Sequence, residues 1–505
     1  MSDSVWKLDE DTDHIWSGNN LGSTKVIWES SSPAENWFTN GLYQGFKYKI
    51  FGPEWFNSYN TAAPYGQNDG ALWQGRGYNT SLTTGARIEG YGFELTFKPQ
   101  VSWMENREFE YLPSTYENEF GYFRGNNRKG GIDAPQRFGD SSFWSFDFGD
   151  SEIRWTWNSF TFGFGTQAPW IGPSYLNPIL HSNNAPTYPK LDLGLRKTKV
   201  FIPYTNIYIG NIETRIWAGY LSESNYFDND ETNNHNMING FSISYSPSFL
   251  QGLTLGATKT CISKWKKDKN FISYFNPFYH NNSGIGTETG EDQKASIFVE
   301  WISNTIGLNI YGEIGIDDYF QDGFLYGLLR YPFDSFVSTY GIKKIISTKN
   351  PDIKLSILFE ISSMEEPRNR IAGGSSYSYN FHSQITQGYT NKGQYLSTYL
   401  ANGGNSQSII INIFYPKGYS SLLLQRDNPD TTYSFIKHAG NNTYKANNIV
   451  SLFTYYSLLP SLSINSSITF DYIINPNYYL EIDGIKKDTK DIINLSFVIG
   501  VKYSL

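Results

Sequence analysis

The 505 residues include 14 Trp, 38 Tyr and 35 Phe, an aromatic share of 17%, while charged residues also reach only 17% and the formal net charge is −8. A helix-rich cytosolic enzyme would carry more charge and a disordered chain far fewer aromatics, so a large β protein remains; the negative balance argues against nucleic acid as a partner. The single cysteine, Cys261, excludes an intramolecular disulfide, and no apolar run reaches the length of a membrane-spanning helix.

In chain order, the first residues, Met1 to Trp6, lack the basic start and apolar run of a secretory signal. Residues 1–40 are expected to form a periplasmic or plug-like segment, and 41–505 a single β domain. Tyr91, Phe93, Leu95 and Phe97 alternate with Glu94, Thr96 and Lys98. From 306 to 317, Ile306, Leu308, Ile310, Ile314 and Ile316 oppose Asn309, Tyr311, Glu313 and Asp317. From 353 to 361, Ile353, Leu355, Ile357, Phe359 and Ile361 oppose Lys354, Ser356 and Glu360. In 461–473, Leu462, Ile464, Ile468, Phe470 and Tyr472 oppose Ser463, Asn465, Ser467, Thr469 and Asp471. The chain ends on Leu495, Phe497, Ile499, Val501, Tyr503 and Leu505 with Ser496, Gly500, Lys502 and Ser504 between them. These period-two runs predict strands with one oily and one wet face. Their length suits a tilted strand crossing a bilayer.

Connections alternate between short and long. Pro247–Gly252, Ser303–Thr305, Ser347–Asp352, Pro416–Gly418 and Leu459–Ser461 are short; Trp103–Ser141, Thr166–Lys190, Ser263–Gln293, Ser363–Gln407 and Asp427–Asn448 are long and polar. One-sided loop length is the mark of an outer-membrane up-and-down barrel, whose aromatic girdles also account for the composition. The alternating runs number about 16 to 20 strands. A soluble sandwich or propeller is the competing reading, and no internal repeat supports a propeller. The predicted fold is thus a closed antiparallel transmembrane β-barrel with long extracellular loops and short periplasmic turns, sitting in outer-membrane lipid. Such a protein must first cross the inner membrane, so a signal removed from this chain is expected.

Two stretches carry a family resemblance. Pro64-Tyr65-Gly66-Gln67-Asn68-Asp69-Gly70-Ala71-Leu72-Trp73-Gln74-Gly75-Arg76-Gly77-Tyr78-Asn79 resembles the "PYG-NDGALWQGRG-N" signature of the capsule assembly Wzi family. Gly172-Pro173 followed by Asn177-Pro178-Ile179-Leu180-His181-Ser182-Asn183-Asn184-Ala185-Pro186 resembles that family's "GPG…N-LILSNNAP" segment. Ile132–Gly139, Tyr245–Pro247 with Gly252–Gly256, and Gln387–Gln394 add shorter similarities in the same order. The C-terminal strand is similar to the signal read by the barrel assembly machinery, with Leu505 where Phe is usual. The resemblance implies a barrel of about 18 strands that binds surface polysaccharide, lectin-like and non-catalytic. Well-known members carry a helical bundle before the barrel; here Trp6 to Trp37 has no sustained helical period.

A polysaccharide binder needs aromatic faces for sugar rings and planar amides or carboxylates for hydroxyls. Asn68, Asp69, Trp73, Gln74 and Arg76, with Trp170, Ser182, Asn183 and Asn184, are the candidate glycan contacts; the competing reading has them satisfying backbone groups in irregular loops. Arg87, Glu94, Glu213, Arg215, Glu313, Asp317, Lys354 and Glu360 are expected on the lumen face, lining a conduit or filling the barrel as compensated charge. The six histidines lack zinc-helix spacing, the acidic runs at 9–13 and 228–231 lack an EF-hand pattern, and neither a GxSxG elbow nor a P-loop occurs. No metal, cofactor or catalytic residue is expected. Glu313 and Asp317 share a strand face about 13 Å apart, too far for a glycosidase pair. The alternative function is a general or substrate-selective porin.

Overall fold

The computed structural model describes residues 47–112, 118–121, 132–228, 230–265, 291–317, 336–365, 379–382, 384–400, 403–429, 445–459, 461–477, 481–482, 485–486 and 490–503. Residues 1–40 and Leu505 lie outside them. Eighteen antiparallel strands form the barrel: β1 (Lys47–Asn60), β2 (Gly77–Gly90), β3 (Phe93–Phe97 continued by Gln100–Met104), β4 (Phe143–Asp147 continued by Glu152–Trp157), β5 (Phe160–Gly165), β6 (Lys190–Ile202), β7 (Ile207–Ser222), β8 (His235–Pro247) and β9 (Leu253–Lys264). The second half comprises β10 (Glu291–Ser303), β11 (Leu308–Asp317), β12 (Phe336–Ser347), β13 (Lys354–Ser363), β14 (Asn405–Tyr415), β15 (Gly418–Asn428), β16 (Ala446–Leu459), β17 (Leu462–Ile474) and β18 (Ile492–Tyr503). Each pairs with the next. β1 pairs with β18 from Glu54↔Lys502 to Asn60↔Ser496, which closes the sheet and leaves no edge to satisfy in lipid.

Odd-to-even connections carry the long loops and even-to-odd connections the tight turns, as the sequence pattern requires. Tyr91 lies in a turn rather than in the strand expected for it: Tyr91 and Gly92 both have positive φ, 54° and 80°, the two-residue hairpin geometry that matches strand twist. In β3 the ladder breaks at Pro99, which has no N–H to donate. Gly149, with φ 58°, takes up the break in facing β4 and bridges to Lys98.

Alternation sorts the side chains by solvent. Trp55, Leu95, Phe162, Ile297, Phe359 and Phe497 are among the exposed hydrophobics of the outer wall, the apolar belt that a membrane barrel presents to lipid. The opposite parity is buried and polar: Glu94, Glu213, Arg215, Glu313, Asp317 and Glu360 all point inward and are buried, with Arg87 and Lys354 on the same face of their strands. What buries them is the protein itself. The long connections after β1, β3, β5 and β13 turn back into the lumen, and Ile179, Leu180, Tyr379 and Leu400 from two of them pack on Val337 of β12. Ala185, Tyr188, Ile385, Tyr389 and Leu396 pack on Leu221, Ile238 and Ile262 of β7, β8 and β9.

Candidate functional site

The segments that carry the family resemblance are far apart in sequence and converge in this lumenal plug. The amide of Gly70 donates to the Asn183 carbonyl at 2.7 Å, and Gln394 Nε2 donates to the Gly70 carbonyl at 3.1 Å. Asn68 Nδ2 donates to the Leu176 carbonyl. Ser182 donates to Leu396 and Ser397, Asn184 Nδ2 to the Tyr395 carbonyl, and Asn391 Nδ2 to Pro186. Irregular backbone inside a barrel has no ladder to satisfy it, so side-chain amides take that role. Asn106 shows the device best, donating from one Nδ2 to the carbonyls of Phe138, Gly139 and Ser141. It was not singled out in the sequence, where nothing distinguishes it from other loop asparagines.

The wall holds the plug by its charges. Glu360 of β13 accepts backbone N–H bonds from Tyr175 at 2.7 Å, Leu176 at 3.1 Å and Asn177 at 3.0 Å, and the Tyr311 hydroxyl donates to it at 2.6 Å. Thr339 of β12 donates to the Asn177 carbonyl. Lys190 reaches the Gln167 carbonyl. Asp133, in another plug segment, accepts from the Ser224 hydroxyl and amide and from the Gly393 amide. Burial pushes the Asp133 carboxyl up to about 6 despite those donors.

The nine candidate contacts divide by depth. Gln74, Trp170, Ser182 and Asn183 are buried, Trp170 donating its indole N–H to the Ser174 carbonyl. Asn68, Asp69, Trp73, Arg76 and Asn184 are half-buried. Trp73 packs on Phe138 and Phe143 at ring-centroid distances of 5.2 and 6.5 Å. Arg76 donates through Nε to the Thr61 carbonyl and through Nη1 to that of Glu108. Among the described residues no group of three or more His, Cys, Asp or Glu side chains is placed to hold a metal ion.

His181 lies at the centre of the plug. Its Nε2 meets the Tyr188 hydroxyl at 2.9 Å, the rings of Tyr188, Trp217 and Tyr389 surround it, and its Nδ1 is buried without a hydrogen-bond partner. Burial, reinforced by the positive charges of Lys190 and Arg215, pushes its pKa down to about 3. An unfolded histidine titrates near 6.5, so below that pH the unplugged chain binds a proton the plug refuses. The contribution of His181 to plug stability is therefore complete above about pH 6.5 and falls as the pH drops toward 3. Proteolytic nicking of the plug should accelerate between pH 7 and 4, and His181→Gln should flatten that profile; parallel profiles would contradict the assignment.

No protein-family model matches the sequence, and none of the curated proteins does. Solved structures match the fold. One described as Wzi, an outer-membrane protein involved in group 1 capsule assembly in Escherichia coli and a carbohydrate-binding β-barrel, aligns with TM-score 0.58 and 15% identity over 90% of this chain and 85% of that one. OprD of Pseudomonas aeruginosa aligns with TM-score 0.43 and 7% identity over 94% and 97%. OccD3 of the same organism gives 0.44 and 10% over 94% and 95%. At 15% identity the likeness establishes a shared barrel fold, while a ligand must be argued from the site.

Proposed function

We propose that this protein is an outer-membrane barrel that binds capsular or related polysaccharide at the cell surface and helps anchor or assemble it, without catalysing a reaction. The observation that carries this reading is the plug. A porin needs a continuous aqueous lumen, whereas here loop segments from the long-loop side occupy it and are bonded to the wall by Glu360, Thr339 and Lys190. The likeness to a carbohydrate-binding barrel agrees with it. In this proposal the half-buried Asn68, Asp69, Trp73, Arg76 and Asn184 contact the glycan, and the buried Gln74, Trp170, Ser182 and Asn183 hold the surface that presents them. The porin reading would require the same segments to move aside.

The test is a binding assay of the detergent-purified barrel against surface polysaccharide isolated from its own source. Saturable binding is expected, with Trp73→Ala and Arg76→Ala each weakening it severalfold at unchanged heat stability, the worth of a stacking face or a charge-assisted bond. Absence of binding, together with a large steady conductance in a planar bilayer, would favour the porin.

A further inference from the structure

Below the plug, on the lumen side of β14, β15 and β16, four aromatic rings lie together near the short-turn mouth. Phe414 and Tyr419 are directly paired across β14 and β15, with ring centroids 5.5 Å apart. Tyr419 and Tyr455 are directly paired across β15 and β16, stacked at 5.9 Å and 27°. Phe453, two residues along, meets Tyr419 at 5.6 Å. Strand parity puts all four inside: Ile410 and Leu423, on the same face, pack against Tyr175 and Leu176 of the plug. The outward neighbours Ile413 and Leu424 are exposed to lipid.

Two features separate this patch from ordinary core packing. Tyr419, Phe453 and Tyr455 remain half exposed, although the plug buries the wall one layer above. Polar groups also surround them: Ser421 and Ser467 are opposite Phe453 in register on either side, and Asn465 is opposite Tyr455. An apolar platform ringed by hydroxyls and a carboxamide, with no carboxylate in the ring, matches the apolar face and hydroxyl rim of a pyranose.

We infer that Tyr419, Phe453 and Tyr455, with Asn465, Ser421 and Ser467, form a second saccharide site inside the barrel, open to the short-turn end and taking neutral hexopyranose chains. The inference rests on the reading of this protein as a carbohydrate binder, but it concerns a face nearer the short turns than the wall that Tyr175 and Leu176 of the plug cover.

The test titrates maltohexaose and cellohexaose into the full-length detergent-purified barrel by calorimetry. Binding of at least one is expected, weakened about tenfold or more by Tyr419→Ser and by Phe453→Ala, and only severalfold by Tyr455→Phe, which keeps the stacking face and loses one hydroxyl. Heat-modifiable migration on gels confirms that each variant has folded. Wild-type affinity in all three variants, or binding by the wild type to neither sugar, overturns the site. Binding seen only after deletion of residues 1–46 also overturns it, because the patch would then belong to the chain's own N-terminal segment. Retention of native polysaccharide on intact cells is scored separately. It depends on the outer loops, so a barrel that retains polysaccharide but binds no hexasaccharide rejects this site alone, and the reverse result rejects the surface reading alone.

Discussion

Glu360→Ala is expected to release the plug. The carboxylate accepts three consecutive backbone N–H groups and a tyrosine hydroxyl, and it is buried. Alanine removes the acceptor those donors share. A charge-assisted bond contributes about 1.5–3 kcal/mol and the contributions are not additive, so the loss should be roughly 3 kcal/mol. That loss acts locally, because the barrel ladder does not depend on Glu360 whereas the 175–177 segment does. The expected signature is steady conductance in a planar bilayer where the wild type shows little, with new protease cleavage near Tyr175 and an almost unchanged global unfolding midpoint. Glu360→Gln retains one acceptor oxygen and should give an intermediate conductance. If the variant lost global stability without conducting, Glu360 would belong to the barrel's fold rather than to the seat of the plug.

The barrel was legible because its information is periodic. Alternation at 353–361 placed Ser356 and Glu360 inside and Ile357 and Phe359 outside, and the burial pattern of β13 repeats it; the alternating loop lengths then fixed which end carries tight turns. The plug was not legible, because it is held by single side chains bonding irregular backbone at long range, such as Asn391 to Pro186 or Asp133 to Gly393. Those bonds leave no spacing in the sequence. The motif residues were visible as a group through the family resemblance, but their meeting at Gly70, Asn183 and Gln394 depends on three loops folding into one space. Tyr419 and Tyr455 were not singled out in the sequence, because nothing in composition separates a lumen aromatic from a girdle aromatic. The register of β14 to β16 makes that distinction.

The same limit applies to the charge network beside the plug, which yields the other large effect. Arg154 of β4 and Asp192 of β6 lie on strands separated by β5, and the residue between them in register is Gly163. With no side chain there, Arg154 Nη2 reaches both oxygens of Asp192 at 2.8 and 2.9 Å, while Arg215 pairs with the same carboxylate. Arg154 also bonds Glu152 and Thr161, and all four charged residues are buried. Asp192→Asn takes from two buried guanidiniums the carboxylate they share, and breaking a buried pair by removing one partner costs about 3–5 kcal/mol. Urea unfolding in lipid vesicles should show the loss directly. Adding Arg215→Met to Asp192→Asn removes the surplus charge and should recover much of it, since an apolar replacement of a whole buried ion pair is often neutral. Gly163→Ala should weaken the barrel by a smaller amount, because a Cβ built there comes within 2.8 Å of Arg154 Nη2 and must displace the guanidinium. A double variant no more stable than Asp192→Asn alone would mean that the loss comes from packing around Asp192, and that the charge balance across Gly163 is not what holds this sector together.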